Sequence, residues 1–141
     1  MGTGIAYTLM LSGVPHRGRS GAAILLGAPP VERVASGPAI ARRAGVPTAE
    51  VAFLDPAATD VIADAAHHLG VSMAWLSVAL DPELIVMGGG LGLRAEYRAA
   101  AIATMNAAVT DAGAQPVEVR PATLGAASAA VGAALLASKT R

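Results

Sequence analysis

Apolar positions along the chain fall into two rhythms. From residue 61 onward Val61, Ala65, Leu69, Met73, Leu76 and Leu80 recur at helical steps, which predicts one long amphipathic helix. Asp55-Pro56 supplies its start, with Asp55 as cap and Pro56 in the first turn, where a missing N–H has no partner to lose. Asp81-Pro82 stops it, so about 25 residues at a 1.5 Å rise give a helix about 40 Å long. The next apolar stretch, Leu84-Ile85-Val86-Met87, has no polar position and reads as a strand buried on both faces. An Ala-rich helix is predicted over 94–112, closed by Gly113. A short strand follows at Val117-Glu118-Val119, and after Pro121 a last helix of small residues over 125–137.

The first third of the chain is less regular. Residues 5–11, Ile-Ala-Tyr-Thr-Leu-Met-Leu, have strand composition, and Ser12-Gly13 turns them into the return Val14-Pro15-His16-Arg17, which predicts a hairpin. Residues 18–30 read as loop, with a Pro-Pro pair at 29–30 and an apolar patch, Ala22 to Leu26, to which the pattern assigns no element. Ser36-Gly37-Pro38 opens a short helix through Ala44, ended by Gly45 and Pro47. Hairpin, helices, strand, helix, strand, helix is a mixed α/β order, and crossover helices join parallel strands. Ligands on such sheets sit beyond strand carboxyl ends, and Gly88-Gly89-Gly90 stands at one of them.

Composition narrows the picture. A chain of 141 residues fits one domain, 1–141, and would bury about two-thirds of its unfolded surface. Ten acidic side chains balance ten basic ones with no Lys/Arg run, which argues against direct nucleic-acid contact or an anionic membrane surface. The absence of cysteine removes disulfides and thiolate zinc sites and suits a reducing cytoplasm. No leader pattern or membrane-length apolar window is seen, so a soluble cytoplasmic protein is expected. The chain is 54% hydrophobic but only 3% aromatic, so its core is mostly Ala, Val and Leu and gains less per residue than a Leu/Phe-rich one. A homo-oligomer, or a neighbouring lobe, is expected to supply the remainder.

Several stretches carry candidate chemistry, each with a plainer alternative. Gly88-Gly89-Gly90 lets bare backbone approach a flat ligand such as adenine, or is only a strand-to-helix turn; no Gly-Lys-Ser/Thr follows, so it is not a Walker loop. Gly2, Thr3 and Gly4 offer backbone N–H groups and a hydroxyl to a phosphate, or are frayed terminus. Glu32 is placed to bind vicinal sugar hydroxyls, or is a solvated charge near a helix start. His67 and His68, adjacent on a helix, do not share a metal; one is expected in solvent and one against the core. His16-Arg17 reads as a polar surface pair, and no serine lies in an elbow-like context. These residues provide neither a catalytic group nor a metal site.

Taken in order, these pieces resemble the ROK family of sugar kinases and transcriptional repressors, in its C-terminal lobe. The matching stretches are Gly-Thr-Gly-Ile at 2–5, Ser-Gly-Val-Pro-His-Arg-Gly at 12–18 with Gly-Ala-Ala at 21–23, and Val-Glu-Arg-Val-Ala-Ser-Gly-Pro-Ala at 31–39. Leu-Asp-Pro-Glu-Leu-Ile-Val-Met-Gly-Gly-Gly-Leu at 80–91 and Gly-Ala-Ala-Ser-Ala-Ala-Val-Gly-Ala-Ala at 125–134 complete the set. The resemblance implies an actin-like, ribonuclease-H-like ATPase lobe, a mixed sheet with helices packed on it. Gly2, Thr3 and Gly4 would face the phosphates of ATP with magnesium, Gly88, Gly89 and Gly90 the adenosine, and Glu32 a sugar.

The departures point the other way. Where the family carries Gly-Glu-Ile-Gly-His for sugar and zinc, this chain has Ile24-Leu25-Leu26-Gly27-Ala28, and the zinc-binding cysteine segment before Glu32 is missing. The family's aspartate base and first phosphate loop would lie before Met1, as would the strand leading into Gly-Thr-Gly. The reading is therefore a sugar-kinase-like (glucokinase-like) lobe, catalytically incomplete, without zinc, with a residual ATP-binding surface. Its alternative is a non-catalytic regulatory or dimerisation lobe of a ROK transcriptional repressor.

Overall fold

The computed structural model describes residues 4–21 and 28–138. The long helix, α4 (Thr59–Leu80), forms where the apolar spacing requires it and buries Ala65, Ala66, Leu69, Gly70, Met73 and Ala74 along one stripe. Its entry differs from the expectation. Asp55 accepts a hydrogen bond from Ala57 N at 2.9 Å, but it caps a 3-10 turn over Pro56–Ala58, and the α-helix begins only after that. His67 and His68 are both exposed, with rings edge-on at 5.8 Å, because the buried stripe passes through 65, 66, 69 and 70 and leaves 67 and 68 outside it. The expected division between solvent and core does not occur. Farther along the same helix Trp75 is 74% exposed.

A second helix, α6 (Ala95–Asp111), lies against α4 through Tyr97, Ala101, Met105 and Val109, one buried residue per turn. The two backbones are close enough that a Cβ on Gly70 would come within 2.6 Å of Thr104 Cβ. Small residues thus do here what bulky ones do in other cores: they admit the neighbouring helix itself.

Two short helices meet at Ser36, α1 (Ala28–Ala35) and α2 (Gly37–Ala44). The Ser36 hydroxyl accepts from Ala39 N at 3.3 Å, Pro38 lies in the first turn, and Gly45 ends α2 at φ 69°, all as the cap chemistry dictates. Helix α1 corrects the last three residues of the loop expected over 18–30, while 18–21 are coil, turn and bend as expected. The Pro-Pro pair falls in its first turn, where backbone N–H groups have no helical acceptor and proline is tolerated. A single turn, α3 (Ala49–Ala52), capped by Thr48, was not foreseen. The apolar patch at 22–26 lies outside the described residues.

Strand β3 (Leu84–Met87) pairs in parallel with β4 (Glu118–Pro121), Leu84 opposite Glu118 and Met87 opposite Pro121. The turn after β3 is α5 (Gly89–Gly92), and the chain ends with a 3-10 turn over Gly125–Ala127 and α7 (Ser128–Ser138). Ile85 packs on the core and Met87 is buried in it, whereas Leu84 and Val86 are 37% and 59% exposed. The strand expected to be covered on both faces is covered on one by the described residues.

The hairpin is shorter than its composition suggests. Its ladder holds β1 (Met10–Leu11) and β2 (Val14–Pro15), joined through Ser12 at φ 50° and Gly13 at φ 77°, the two positive values of a type I′ turn. Residues 5–9 form no strand; Ile5, Tyr7 and Leu9 are half-buried and Ala6 and Thr8 exposed, and Leu9 O accepts from His16 N at 2.8 Å just beyond the hairpin ladder. Among the described residues two separate two-stranded sheets therefore stand where one mixed sheet was expected. Strand composition creates the alternation, and only a partner strand creates the ladder.

Candidate functional site

The extended segment and the β3 carboxyl end come together around one cavity of about 220 Å³. Gly4, Ile5 and Tyr7 line one side, Ile85 to Gly92 the other, and Leu69, Met73 and Tyr97 close the base from α4 and α6. Gly4 and Gly88 to Gly90, far apart in sequence, thus border the same space. Gly2 and Thr3 lie outside the described residues.

The glycines shape this wall in different ways. Gly88 is extended and its absent Cβ would sit 3.5 Å from Ala122 Cβ, an ordinary contact. Gly89 has φ 74°, which an L side chain adopts only under strain. Gly90 has open space where a Cβ would project. Gly92, the last glycine of the stretch Gly88-Gly89-Gly90-Leu91-Gly92, would set a Cβ 3.3 Å from the Met87 backbone, so its missing side chain lets α5 fold back onto the strand end.

Tyr97 and Tyr7 were missed. Tyr97 is buried, its hydroxyl donates to Ala35 O at 3.0 Å, and its ring meets Phe53 edge-on at 6.0 Å, with the Arg94 guanidinium 4.3 Å above the Phe53 centroid. Tyr7 donates to Ser72 Oγ at 2.9 Å. Burial pushes both phenols above their usual pKa, so both remain proton donors at neutral pH. Each hydroxyl is already engaged within the protein, which leaves backbone groups and apolar faces as the surface offered to a ligand.

Glu32 is half-buried on α1, and its Oε2 accepts a hydrogen bond from Ile5 N at 2.9 Å. The carboxylate that the resemblance assigns to a sugar is thus turned toward the segment lining the cavity. Among the described residues no charged side chain lines the cavity, and the two lining phenols are already bonded, so the arrangement can hold a flat, weakly polar group. Its volume is below the roughly 300–1,000 Å³ of sites that enclose a drug-sized ligand, and it suits one end of a nucleotide. A larger hollow of about 460 Å³ runs along the hairpin from Leu11 to Arg19. Its described lining is Leu11 and residues 14–19, all from the hairpin and the segment after it. Among the described residues no cluster of three or more His, Cys, Asp or Glu could hold a metal ion, and no helix is long and apolar enough to cross a membrane.

The described residues form a mixed α/β framework with a glycine-walled cavity at a strand end. The sequence profile of the ROK family matches residues 1–140, and the chain belongs to that family. It is similar to the ROK hexokinase from Thermus thermophilus, with a TM-score of 0.83 and 29% identity over 94% of this chain and 55% of that one. A ROK family protein from Streptococcus pneumoniae TIGR4, solved in complex with sucrose, superimposes with a TM-score of 0.72 at 18% identity, covering 90% of this chain and 52% of that one. The chain spans about half the length of these solved relatives. No curated protein matches it.

Proposed function

We propose that this chain is the C-terminal lobe of a sugar-kinase-like protein and binds the adenosine end of ATP in the glycine-walled cavity. The observation that carries this reading is the meeting of Gly4 with Gly88, Gly89 and Gly90 around one apolar space in a ROK family chain. The open space at Gly90 fits a ligand face laid against bare backbone. By the family likeness Gly2, Thr3 and Gly4 would serve the phosphates, and magnesium would arrive with them. With no carboxylate, imidazole or amine among the described residues lining the cavity, and with the Tyr7 and Tyr97 hydroxyls bonded within the protein, the lobe binds nucleotide without moving a proton, and sugar phosphorylation requires groups from outside it. A soluble, cytoplasmic setting follows from the same reading.

Titration calorimetry of the full chain with a non-hydrolysable ATP analogue and magnesium tests this. Weak, magnesium-assisted binding is expected for the wild type and none for Gly90→Leu, which has room for its side chain within the fold but fills the ligand face. Stability of that variant should stay within about 0.5 kcal/mol of wild type, because leucine is the better helix former at an exposed position. Absence of heat from the wild type would overturn the proposal. In that event a non-catalytic homo-oligomerisation lobe is the second reading, favoured by the exposure of Leu84 and Val86 on β3. Its signature would be concentration-dependent sedimentation.

A further inference from the structure

We propose that Glu32 is a positioning residue whose carboxylate clamps the Gly4–Ile5 bend and so keeps that wall of the cavity in binding shape. The inference rests on the nucleotide reading above and assigns Glu32 a role separate from any sugar contact.

Three observations converge on it. The Ile5 N–H donates to Glu32 Oε2 at 2.9 Å across 27 positions of sequence, and no described strand offers that amide a ladder partner. Gly4 leaves vacant the space that the carboxylate fills: a Cβ there would lie 2.6 Å from Oε2 and 3.1 Å from Cδ. The clamp is anchored at its other end, because Glu32 is flanked on α1 by Val31 and Ala35, both buried in the core. A charge-assisted bond from a fixed helix to the Ile5 amide is stronger than a neutral one. It holds in place the residues that line the cavity opposite Gly88 to Gly90.

Two readouts on the full chain test the clamp separately from the function. The first is amide hydrogen exchange at Ile5 by NMR, which needs no nucleotide. The second is affinity for the ATP analogue with magnesium. Glu32→Ala is expected to speed Ile5 exchange and weaken affinity about tenfold, the scale of one lost charge-assisted hydrogen bond. Glu32→Gln keeps an acceptor oxygen and should preserve slow exchange with only a small change in affinity. Gly4→Ala should resemble Glu32→Ala, since its Cβ displaces the flexible carboxylate end, and should add almost nothing in a Glu32→Ala background.

Unchanged Ile5 exchange in folded Glu32→Ala would overturn the clamp. So would unchanged or tighter nucleotide binding in that variant, which would make the carboxylate a mere repulsive charge. If the wild type binds no nucleotide while Glu32→Ala still speeds Ile5 exchange, the clamp stands and the nucleotide reading falls. Should Glu32→Ala fail to fold, Glu32→Gln and Gly4→Ala decide the matter, with slow exchange in the first and fast in the second supporting the clamp and equal exchange overturning it.

Discussion

Tyr97 ties three parts of the molecule with one side chain. Its hydroxyl satisfies the carbonyl of Ala35, the last residue of α1 and so one of the acceptors a helix end leaves unpaired. Tyr97→Phe removes that donor with almost no change in shape and is expected to cost about 1–2 kcal/mol, read from urea unfolding. The phenol also makes stability depend on pH. Burial raises its folded-state pKa above the ordinary value of about 10, so the folded protein holds the proton more tightly than the unfolded chain. The contribution is complete below about pH 10 and is lost as pH climbs toward the raised folded value. Wild type should therefore lose stability above pH 10 more steeply than Tyr97→Phe; equal slopes would remove Tyr97 as the cause. At this scale the sequence was legible where the chemistry is local. Ser36 caps α2 as its neighbours require and Asp55 caps a turn, though the 3-10 turn before α4 and not α4 itself, whereas the partners of Tyr97 and Glu32 lie 62 and 27 positions away and no spacing rule reaches them.

The packing of α4 on α6 turns on Gly70. Alanine there is the better helix former by about 1 kcal/mol, yet its Cβ would strike Thr104 and the Ala101 carbonyl, which belongs to backbone and cannot swing aside. Gly70→Ala is expected to be destabilised by about 1–3 kcal/mol, the range for overpacked cores. Gly132→Ala, on α7 with nothing within 4 Å of the added carbon, should be neutral or stabilised by up to about 1 kcal/mol. Chemical denaturation of the pair checks both, and equal shifts would show that helix propensity alone governs these sites. Elements with a long repeat were readable: α4, α6 and β3 fall where periodicity and Pro/Gly punctuation put them. Those that depend on context were not. The proline pair reads as a turn until it is seen at the start of α1, and α5, four residues of which three are glycine, has no pattern to read.

Across the whole molecule, helices α4 and α6 serve one face of the β3–β4 pair, while Leu84 and Val86 look outward beside Glu118 and Arg120. Family membership was legible because five short stretches keep their order along the chain, although each alone is a common turn or cap. The joining of Gly4 to the Gly88–Gly90 wall followed from that likeness and not from any local rule. The single tryptophan has a practical consequence. Trp75 is already 74% exposed, so its indole senses nearly the same medium before and after the chain unfolds. Its emission should shift little through a urea transition that circular dichroism follows clearly. It should move to the blue when another surface covers that side of α4, which makes the native indole an optical gauge of association and a poor thermometer of folding.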